Sequence, residues 1–455
     1  MKLENIFNEV YLKEFYLKYI KTKPNIVGVD KIGKVSYENK LFEYNSMIAR
    51  KVLAGNYMVS KYRGVLIPKQ PNKPPRTLAI STIKDRIVLS LIKDILQDFY
   101  YKNAKQELIQ SKIDRIKSEI EANKFDTYIK VDIIDFFPSI PHDILLNKLS
   151  TEGIDRRLCN IINKAISKEI IFNGYIDDSY KTKKIGVPQG LPISNILAEI
   201  YMSEFDTMYL NNKDICYFRY VDDILILCKE EQVEILIENI YSKIESLKLS
   251  IHDFETGKSK KGKISDGFIY LGYKYENKSF TVKNDSVLRL EKAIVGIFSK
   301  HQRKQFVNPE LFVWELNVRI TGLIVETKKI NEFGELIKKK YGWLFFFSQI
   351  DDLSLLYHLD FFVMKLIHRY NLQPKIDINL VKRFVKAYNH IRYKRHETNY
   401  IPNYSDYTID NKKELLKKVF KKDISKKSDN EIESQFEFII YKLIKDLEED
   451  VQYFS

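Results

Sequence analysis

The sequence predicts an α+β protein, and three observations carry this prediction. Helical periodicity dominates the 455 residues, a few short β-branched runs lie in the middle third, and the chain after about Asp285 is almost wholly helical. The composition, 44% hydrophobic and 30% charged, is that of a folded protein and excludes wholesale disorder. A chain of this length is expected to form several lobes rather than one core.

Helices and short strands alternate over the first two thirds of the chain. Helices are predicted at residues 1–20, 42–60 and 83–101, the last with apolar residues at turn spacing. Strands are predicted at residues 64–68, 127–133, 170–172, 216–220, 224–228 and 268–275. A loop at residues 399–412 precedes the last helical piece.

The sequence offers neither a membrane span nor a cysteine framework. Its apolar runs are far shorter than the roughly 20 residues that a spanning helix needs, and residues 1–11 do not resemble a signal peptide, so a cytoplasmic protein without a membrane partner is predicted. Cys159, Cys216 and Cys228 form no C-x-x-C pair, which excludes a disulfide framework and a zinc knuckle. A bound metal is therefore expected to have oxygen ligands.

The charge balance favours a polyanionic partner. Lysine and arginine number 75 against 61 acidic residues, which gives a net charge of +14 and a pI near 9.2. Such an excess is typical of proteins that bind nucleic acid. The abundance of Lys, Ile, Asn and Tyr is also what AT-rich coding produces, so composition alone leaves this open.

Two acidic strand ends carry the chemistry. Residues 218–227, F-R-Y-V-D-D-I-L-I-L, read as a hairpin with Asp222 and Asp223 at its turn, where acids are common for structural reasons alone. A second strand, in residues 130–137, ends at Asp132. If the strands are neighbours, the three carboxylates converge and raise one another's pKa unless a divalent cation lies among them. Oxygen ligands favour Mg²⁺, and two ions roughly 3.5–4 Å apart would support nucleotidyl transfer.

The order of these motifs resembles the palm of reverse transcriptases. It runs D-x-x-x-x-F at residues 132–137, P-Q-G at 188–190, Y-x-D-D at 220–223 and a Leu-Gly strand at 271–272, and the resemblance covers about residues 25–285. Residues 191–198, L-P-I-S-N-I-L-A, are similar to the bacterial abortive-infection and defence-associated (antiphage) enzymes of this family. The resemblance implies a right-hand polymerase with fingers, a palm with an antiparallel sheet and a thumb, followed by an all-helical C-terminal extension.

The same resemblance implies domain boundaries and partners. N-terminal helices and fingers would occupy residues 1–125, the palm with inserted fingers helices 126–284, a helical thumb 285–350 and the helical extension 351–455. The implied activity is RNA-directed DNA synthesis with two Mg²⁺ ions, for which Mn²⁺ is a substitute. The implied partners are dNTPs, a dedicated noncoding RNA template and its DNA product; a homo-oligomer and a partner protein of a defence operon both stay open.

Several residues receive roles from the resemblance. Asp132, Asp222 and Asp223 would be catalytic metal ligands, with the direct ligation by Asp223 the least defined. Lys69, Arg76, Asp135, Phe137 and Gln189 would bind the nucleotide. Phe137 would exclude the ribose 2′-hydroxyl, unless it is a plain core residue, and Lys69 could equally belong to a solvated loop. Lys258 and Lys260 are both candidates for the lysine beside pyrophosphate.

Residues expected to contact nucleic acid lie in three places. They are Arg219, Leu271, Gly272, Arg392, Lys394 and Arg395. Arg219 has a second interpretation as a local counter-charge to the acidic turn. The segment 392–396, with Tyr400 nearby, mixes basic and aromatic residues as an RNA-binding surface does, and a solvated helix face explains it equally well.

Two alternative functions stay open at this point. Ile320, Thr321 and Gly322 faintly resemble a post-palm motif of retron reverse transcriptases, whereas a group II intron maturase is less favoured. A catalytically idle RNA-binding scaffold with a polymerase fold is the alternative from another class. Intact acids at 132, 222 and 223 argue against a scaffold, because carboxylates without metals would repel a phosphate backbone.

Overall fold

The fold is that of a computed structural model, which describes residues 2–21, 25–67, 74–100, 107–172, 182–255, 257–330, 336–394 and 399–451. The chain divides into two compact units. Unit 1 comprises residues 1–107 and 124–262, and unit 2 comprises residues 108–123 and 263–455. Within the described ranges, no helix combines the length and the apolar character that a bilayer crossing requires.

Helices are the most abundant regular structure in the described residues of both units. They are α1 (Leu3–Ile6), α2 (Glu9–Phe15), α3 (Lys34–Glu38), α4 (Leu41–Leu53), α5 (Ile83–Tyr100), α6 (Ile109–Glu121), α7 (Phe136–Ser139), α8 (His142–Thr151), α9 (Arg156–Ile166), α10 (Ser194–Leu210), α11 (Val233–Ser246), α12 (Asn284–Gln302), α13 (Pro309–Thr321), α14 (Trp343–Phe346), α15 (Leu353–Arg369), α16 (Phe384–Tyr393), α17 (Ile409–Lys418) and α18 (Asp429–Glu449). The predicted helices at 42–60 and 83–101 correspond to α4, which ends earlier, and α5.

The strands form four separate sheets. They are β1 (Tyr62–Ile67), β2 (Arg76–Ile80), β3 (Thr127–Asp132), β4 (Ile170–Ile171), β5 (Cys216–Tyr220), β6 (Asp223–Cys228), β7 (Lys260–Lys263), β8 (Phe268–Tyr270), β9 (Tyr273–Glu276), β10 (Ser279–Val282), β11 (Leu323–Ile330) and β12 (Leu336–Tyr341). The sheet orders are β2-β1-β4, β5-β6-β3-β7, β10-β9-β8 and β11-β12.

The four-stranded sheet of unit 1 is built around β6. All six residues of β6 are buried, because β5 and β3 flank it on either side and helices cover the sheet. Burying each of its Ile and Leu side chains contributes about 1.5–3 kcal/mol. The predicted hairpin of β5 and β6 and its pairing with β3 are confirmed, all antiparallel.

A smaller sheet in unit 1 carries Arg76 and contacts the P-Q-G segment. Strands β1 and β2 form an antiparallel hairpin in which Ile67 pairs with Arg76, and β1 also pairs in parallel with β4. The backbone N–H of Ala79 in β2 donates to the Gln189 carbonyl at 2.7 Å. The P-Q-G segment is therefore fastened to the strand that carries Arg76.

Unit 2 departs from the sequence prediction in its first sheet. Residues 268–275 were expected to form one strand, but β8 and β9 are two strands folded back on each other. Leu271 and Gly272 both have positive φ, 49° and 80°, and close the turn between them. The Leu-Gly pair therefore marks a tight turn and not the interior of a strand.

A hairpin in unit 2 interrupts the segment after residue 285, which the sequence predicts to be almost wholly helical. Strands β11 and β12 pair antiparallel over residues 323–341. Gly322 and Gly342 at its base have positive φ, and a Cβ on Gly322 would lie 2.2 Å from the Tyr341 carbonyl oxygen. Glycine permits this close approach, so Gly322 and Gly342 are the sequence signal for the hairpin. The helical periodicity of the surrounding residues hides this signal.

The C-terminal extension is helical across its described residues, as predicted. Helices α15 and α16 pack together, as do α17 and α18. Thr408 and Ser428 cap α17 and α18 through reciprocal side-chain bonds with Asn411 and Glu431. The predicted loop at 399–412 therefore ends earlier, where α17 begins at Ile409.

Candidate active site

The structure brings the two acidic strand ends together in unit 1. Asp132 is the last residue of β3 and lies directly opposite Asp223, the first residue of β6. Asp223 also pairs with Tyr220, so Val221 and Asp222 form a two-residue turn. The sequence expectation that these strands are neighbours is confirmed.

The turn itself adopts an unusual backbone conformation. Val221 has a φ of 59°, the left-handed region that a β-branched residue seldom enters. Such a conformation costs about 1–3 kcal/mol and persists only where surrounding contacts fix it. Arg219 supplies one such contact, because its Nη1 donates to the Val221 carbonyl at 2.8 Å.

Burial disfavours the ionised forms of Asp222 and Asp223. Burial raises the pKa of Asp222, and the charge of Asp132 raises it further, while Arg76 and Lys258 oppose the shift. Burial likewise raises the pKa of Asp223 to about 7, against the lowering effect of Lys130. The main cause of both shifts is burial, and the neighbouring carboxylates add to it.

Lys130 is a site residue that the sequence analysis missed. Its Nζ lies 3.3 Å from Oδ1 of Asp223. Side chains alternate along a strand, so Lys130 and Asp132 share one face of β3. Strand alternation applied to K-V-D would have identified this lysine.

Asp132 has two basic side chains from one segment as neighbours. Lys258 Nζ lies 3.4 Å and His252 Nε2 lies 3.5 Å from its Oδ1. The Asp132 backbone N–H donates to Ser259 Oγ at 3.1 Å, which fixes the segment against the strand end. Lys258 is thus the lysine at the site, whereas Lys260 is an exposed residue of β7. His252 was also missed, and no spacing rule pointed to it.

Arg219 is a local counter-charge, although to two acids of α10 and not to the acidic turn, and its burial disfavours the expected contact with nucleic acid. Its side chain is only 4% exposed and forms ion pairs with Glu199 at 2.7 Å and Asp206 at 2.5 Å. Both acids belong to α10, so the arginine joins this helix to the acidic turn. A guanidinium engaged in this way is not available to a template strand.

The described residues expected around the nucleotide lie in β2, at the start of α7 and in the segment before α10. Arg76 lies near enough to Asp222 to lower its pKa. Phe137 in α7 is half-buried, and its carbonyl accepts from the Val187 N–H at 2.8 Å.

Gln189 lies two residues after Val187 and is followed by Gly190, which has a φ of 99°. A Cβ on Gly190 would lie only 3.0 Å from the Ala79 carbonyl oxygen. Asp135 is exposed with a φ of 42° ahead of α7. Lys69 lies outside the described residues.

The residues of unit 2 that are expected to contact nucleic acid differ in their exposure. Leu271 is buried, so at most its backbone and Gly272 can face a ligand. Arg392 is half-buried and donates to Gln349 Oε1, with Asp114 4.0 Å away. Lys394 is exposed, and Arg395 lies outside the described residues.

The donor chemistry of the site fits a divalent cation, but not a closed protein cage. Within the described ranges, no three His, Cys, Asp or Glu side chains form a ready metal-ligand set. Lys258 and Lys130 lie against the Asp132 and Asp223 carboxylates, and a metal ion would have to displace these ammonium groups. Mg²⁺ commonly binds through one or two carboxylates and completes its shell with water and substrate phosphates, which these residues permit.

Comparison with known proteins identifies the region that contains this site. Residues 67–275 match the family model described as reverse transcriptase (RNA-dependent DNA polymerase). The chain is 26% identical over 294 residues to the Escherichia coli protein YkfC, covering 54% of this chain and 75% of that protein. It is 25% identical to the group II intron-encoded protein LtrA of Lactococcus lactis, covering 36% of this chain and 28% of LtrA.

Among solved structures, a Candida albicans telomerase in complex with a telomeric RNA fragment aligns at 13% identity and a TM-score of 0.41, covering 92% of this chain and 68% of that chain. The family match confirms the predicted polymerase fold and the predicted RNA-directed DNA polymerase. Proteins of this family generally use divalent metal ions. The defence subgroup stays a prediction.

Proposed function

We propose that the reverse transcriptase domain of this chain, residues 67–275, copies a dedicated noncoding RNA into DNA in bacterial antiphage defence. The observation that carries the polymerase part is the opposition of Asp132 to Asp223, with Asp222 in the intervening turn. Burial and neighbouring negative charge disfavour ionised Asp222 and Asp223, and bound Mg²⁺, or Mn²⁺ in its place, would stabilise their ionised forms. Asp132 and Asp222 would be the principal ligands and Asp223 the third acid.

The remaining residues would orient the substrates. Bound Mg²⁺ would supply activation of the primer 3′-hydroxyl and charge stabilisation at the leaving pyrophosphate. Arg76 would contact the triphosphate through charge-assisted hydrogen bonds. Gln189, fastened between β2 and α7 through its own carbonyl and through Val187, would contact the incoming nucleotide. Whether Lys69 and Asp135 also contact it stays a prediction.

Lys258 is our candidate for the proton donor to pyrophosphate. We expect Lys258→Gln to slow single-nucleotide incorporation about 100-fold, because general acid catalysis typically contributes 10²- to 10⁴-fold. Lys260→Gln, which removes the same charge from an exposed site, should stay within about twofold of the parent. Rapid-quench kinetics over a pH series would measure this, since loss of a general acid also removes the basic limb of the pH–rate profile. Equal slowing by both substitutions would contradict the assignment.

Phe137 is our candidate for the residue that excludes ribonucleotides. Phe137→Ala should raise the ratio of ribonucleotide to deoxynucleotide incorporation by roughly 10- to 100-fold, because the space left by the ring would accommodate a 2′-hydroxyl. Phe136→Leu alters the neighbouring buried ring, 5.6 Å away between centroids, and should leave the ratio unchanged. Competition assays with paired dNTP and rNTP substrates would measure both variants. Unchanged discrimination in Phe137→Ala would make Phe137 a packing residue.

The defence role rests on the similarity of residues 191–198 to defence-associated enzymes. In this segment Ser194 donates to the Pro188 carbonyl at 2.6 Å, so the Ser-Asn variant is coupled directly to the P-Q-G segment. The proposal would be tested by sequencing nucleic acid that copurifies with the protein, before and after dNTP addition. One RNA species extended into complementary DNA would support a dedicated template. An RNA that dNTPs leave unchanged would favour the idle scaffold.

A further inference from the structure

Four basic side chains, two in α16 of unit 2 and two beside it, lie at intervals of four residues. Lys382 precedes the helix, Lys386 and His390 lie within it, and Lys394 follows it, each four residues from the next. Residues at this spacing are neighbours on a helix surface. Lys386 and Lys394 are exposed and the other two are half-buried. We call these four residues together with Tyr400 the α16 cationic face.

Tyr400 organises this face. Its ring centroid lies 4.8 Å from Nζ of Lys386 and 5.3 Å from Nζ of Lys382. The His390 imidazole stacks on the same ring at 5.1 Å between centroids. The Arg383 backbone N–H donates to the Tyr400 hydroxyl at 2.8 Å, so the ring has a fixed position. A fixed aromatic ring that gathers cations reduces the entropy lost when they bind one ligand.

Burial disfavours the charged forms of two side chains on this face. Burial lowers the pKa of Lys382 to about 8, with no opposing carboxylate effect. Burial also lowers the pKa of His390, and the charges of Lys394 and Lys386 lower it further. The nearby acid is Asp360, whose oxygens accept from the N–H groups of Phe384 at 2.6 Å and Val385 at 3.3 Å. Since Asp360 is directed to the start of α16, an external anion would favour the charged forms of Lys382 and His390.

We propose that the α16 cationic face binds the phosphate backbone of single-stranded RNA, at a surface separate from the polymerase site. The spacing of the cations suits a chain of phosphates, and the neighbouring Tyr393, 74% exposed, offers a ring on which an unpaired base can stack. Arg392 belongs to a different side of the helix, where Gln349 and Asp114 engage it. The choice of RNA as the polyanion rests on the proposed function.

The test is RNA binding by charge-reversed protein. Fluorescence anisotropy with a labelled 20-nucleotide single-stranded RNA would be measured across a salt series, without Mg²⁺ or dNTPs. We expect Lys386→Glu with Lys394→Glu to weaken binding at least about tenfold. The slope of log affinity against log salt should become shallower by about 1.4, since each phosphate contact on a single strand contributes about 0.7. Lys442→Glu with Lys445→Glu makes the same charge change at exposed positions of α18 and should match the parent protein.

The outcomes separate this surface from the polymerase function. Affinity and salt slope equal to those of the parent would overturn the inference, even if the parent synthesises DNA. A parent that does not synthesise DNA, but loses RNA affinity on charge reversal, would leave the surface standing and remove the proposed function. If the glutamate variant fails to fold, as judged by circular dichroism, Lys386→Gln with Lys394→Gln should still show a shallower salt slope, and an unchanged slope would refute the proposal.

Discussion

Asp222→Asn is expected to lower dNTP incorporation at least about a thousandfold, a loss of about 4 kcal/mol of transition-state stabilisation. The amide cannot supply the negative charge that holds a divalent cation at the turn between β5 and β6. Asp132→Asn should have an effect of similar size, because Asp132 lies directly opposite Asp223 on the neighbouring strand and is expected to bind the same cations. Extension of a DNA primer on an RNA template, with Mg²⁺ titrated, would measure both.

The matched control is Asp214→Asn, an acid-to-amide change at an exposed loop of the same unit, which should retain full activity. Thermal unfolding should show that Asp222→Asn leaves the fold intact. Its stability should not fall, because burial and the charge of Asp132 already disfavour an ionised Asp222. If Asp222→Asn incorporated dNTPs as fast as the parent protein, the turn would have no catalytic role.

Arg219→Ala is expected to destabilise the protein by about 3–5 kcal/mol, the range for breaking a buried ion pair from one side. The substitution would leave the carboxylates of Glu199 and Asp206 without their shared partner and the Val221 carbonyl without its Nη1 donor. The left-handed conformation of Val221 would then lose a contact that holds it. Urea unfolding followed by circular dichroism would measure the loss.

A double-mutant cycle with Asp206→Ala isolates the ion pair itself. Because Asp206 contacts Arg219 directly, we expect a coupling energy of at least about 1 kcal/mol. Lys148→Ala removes a different ion pair, between a buried lysine and the exposed Glu204 of the same helix as Asp206, and should add independently to Arg219→Ala. A coupling with Asp206 below about 0.3 kcal/mol would show that Arg219 does not anchor the turn.

The four-stranded sheet of unit 1 was largely predictable from the sequence because its signals are local. Two apolar runs that flank two adjacent acids predict the hairpin of β5 and β6, and buried apolar residues in β3 predict its partner. Lys130 was equally predictable, since it shares the strand face of Asp132, but a pattern made of acidic residues alone does not include it. These residues follow from a period of two along a strand.

Other parts of the site depend on tertiary contacts that no spacing rule encodes. His252 reaches Asp132 only because its own backbone N–H donates to the Asp132 carbonyl, at 3.0 Å. The two acids that engage Arg219 come from α10, 13 and 20 residues away along the chain. In unit 2, β11 and β12 were hidden because a hairpin between helices has too few residues to change the periodicity of its surroundings.

The central claim is that Asp132, Asp222 and Asp223 hold divalent cations for nucleotidyl transfer. Anomalous scattering from Mn²⁺ in crystals of the protein with an RNA template, a DNA primer and an unreactive dNTP analogue tests it most directly. The account predicts Mn²⁺ bound to Asp132 and Asp222, with Lys258 moved away from the Asp132 carboxylate that it now contacts at 3.4 Å. Mn²⁺ bound elsewhere, with the Lys258–Asp132 and Lys130–Asp223 contacts intact beside the nucleotide, would contradict it.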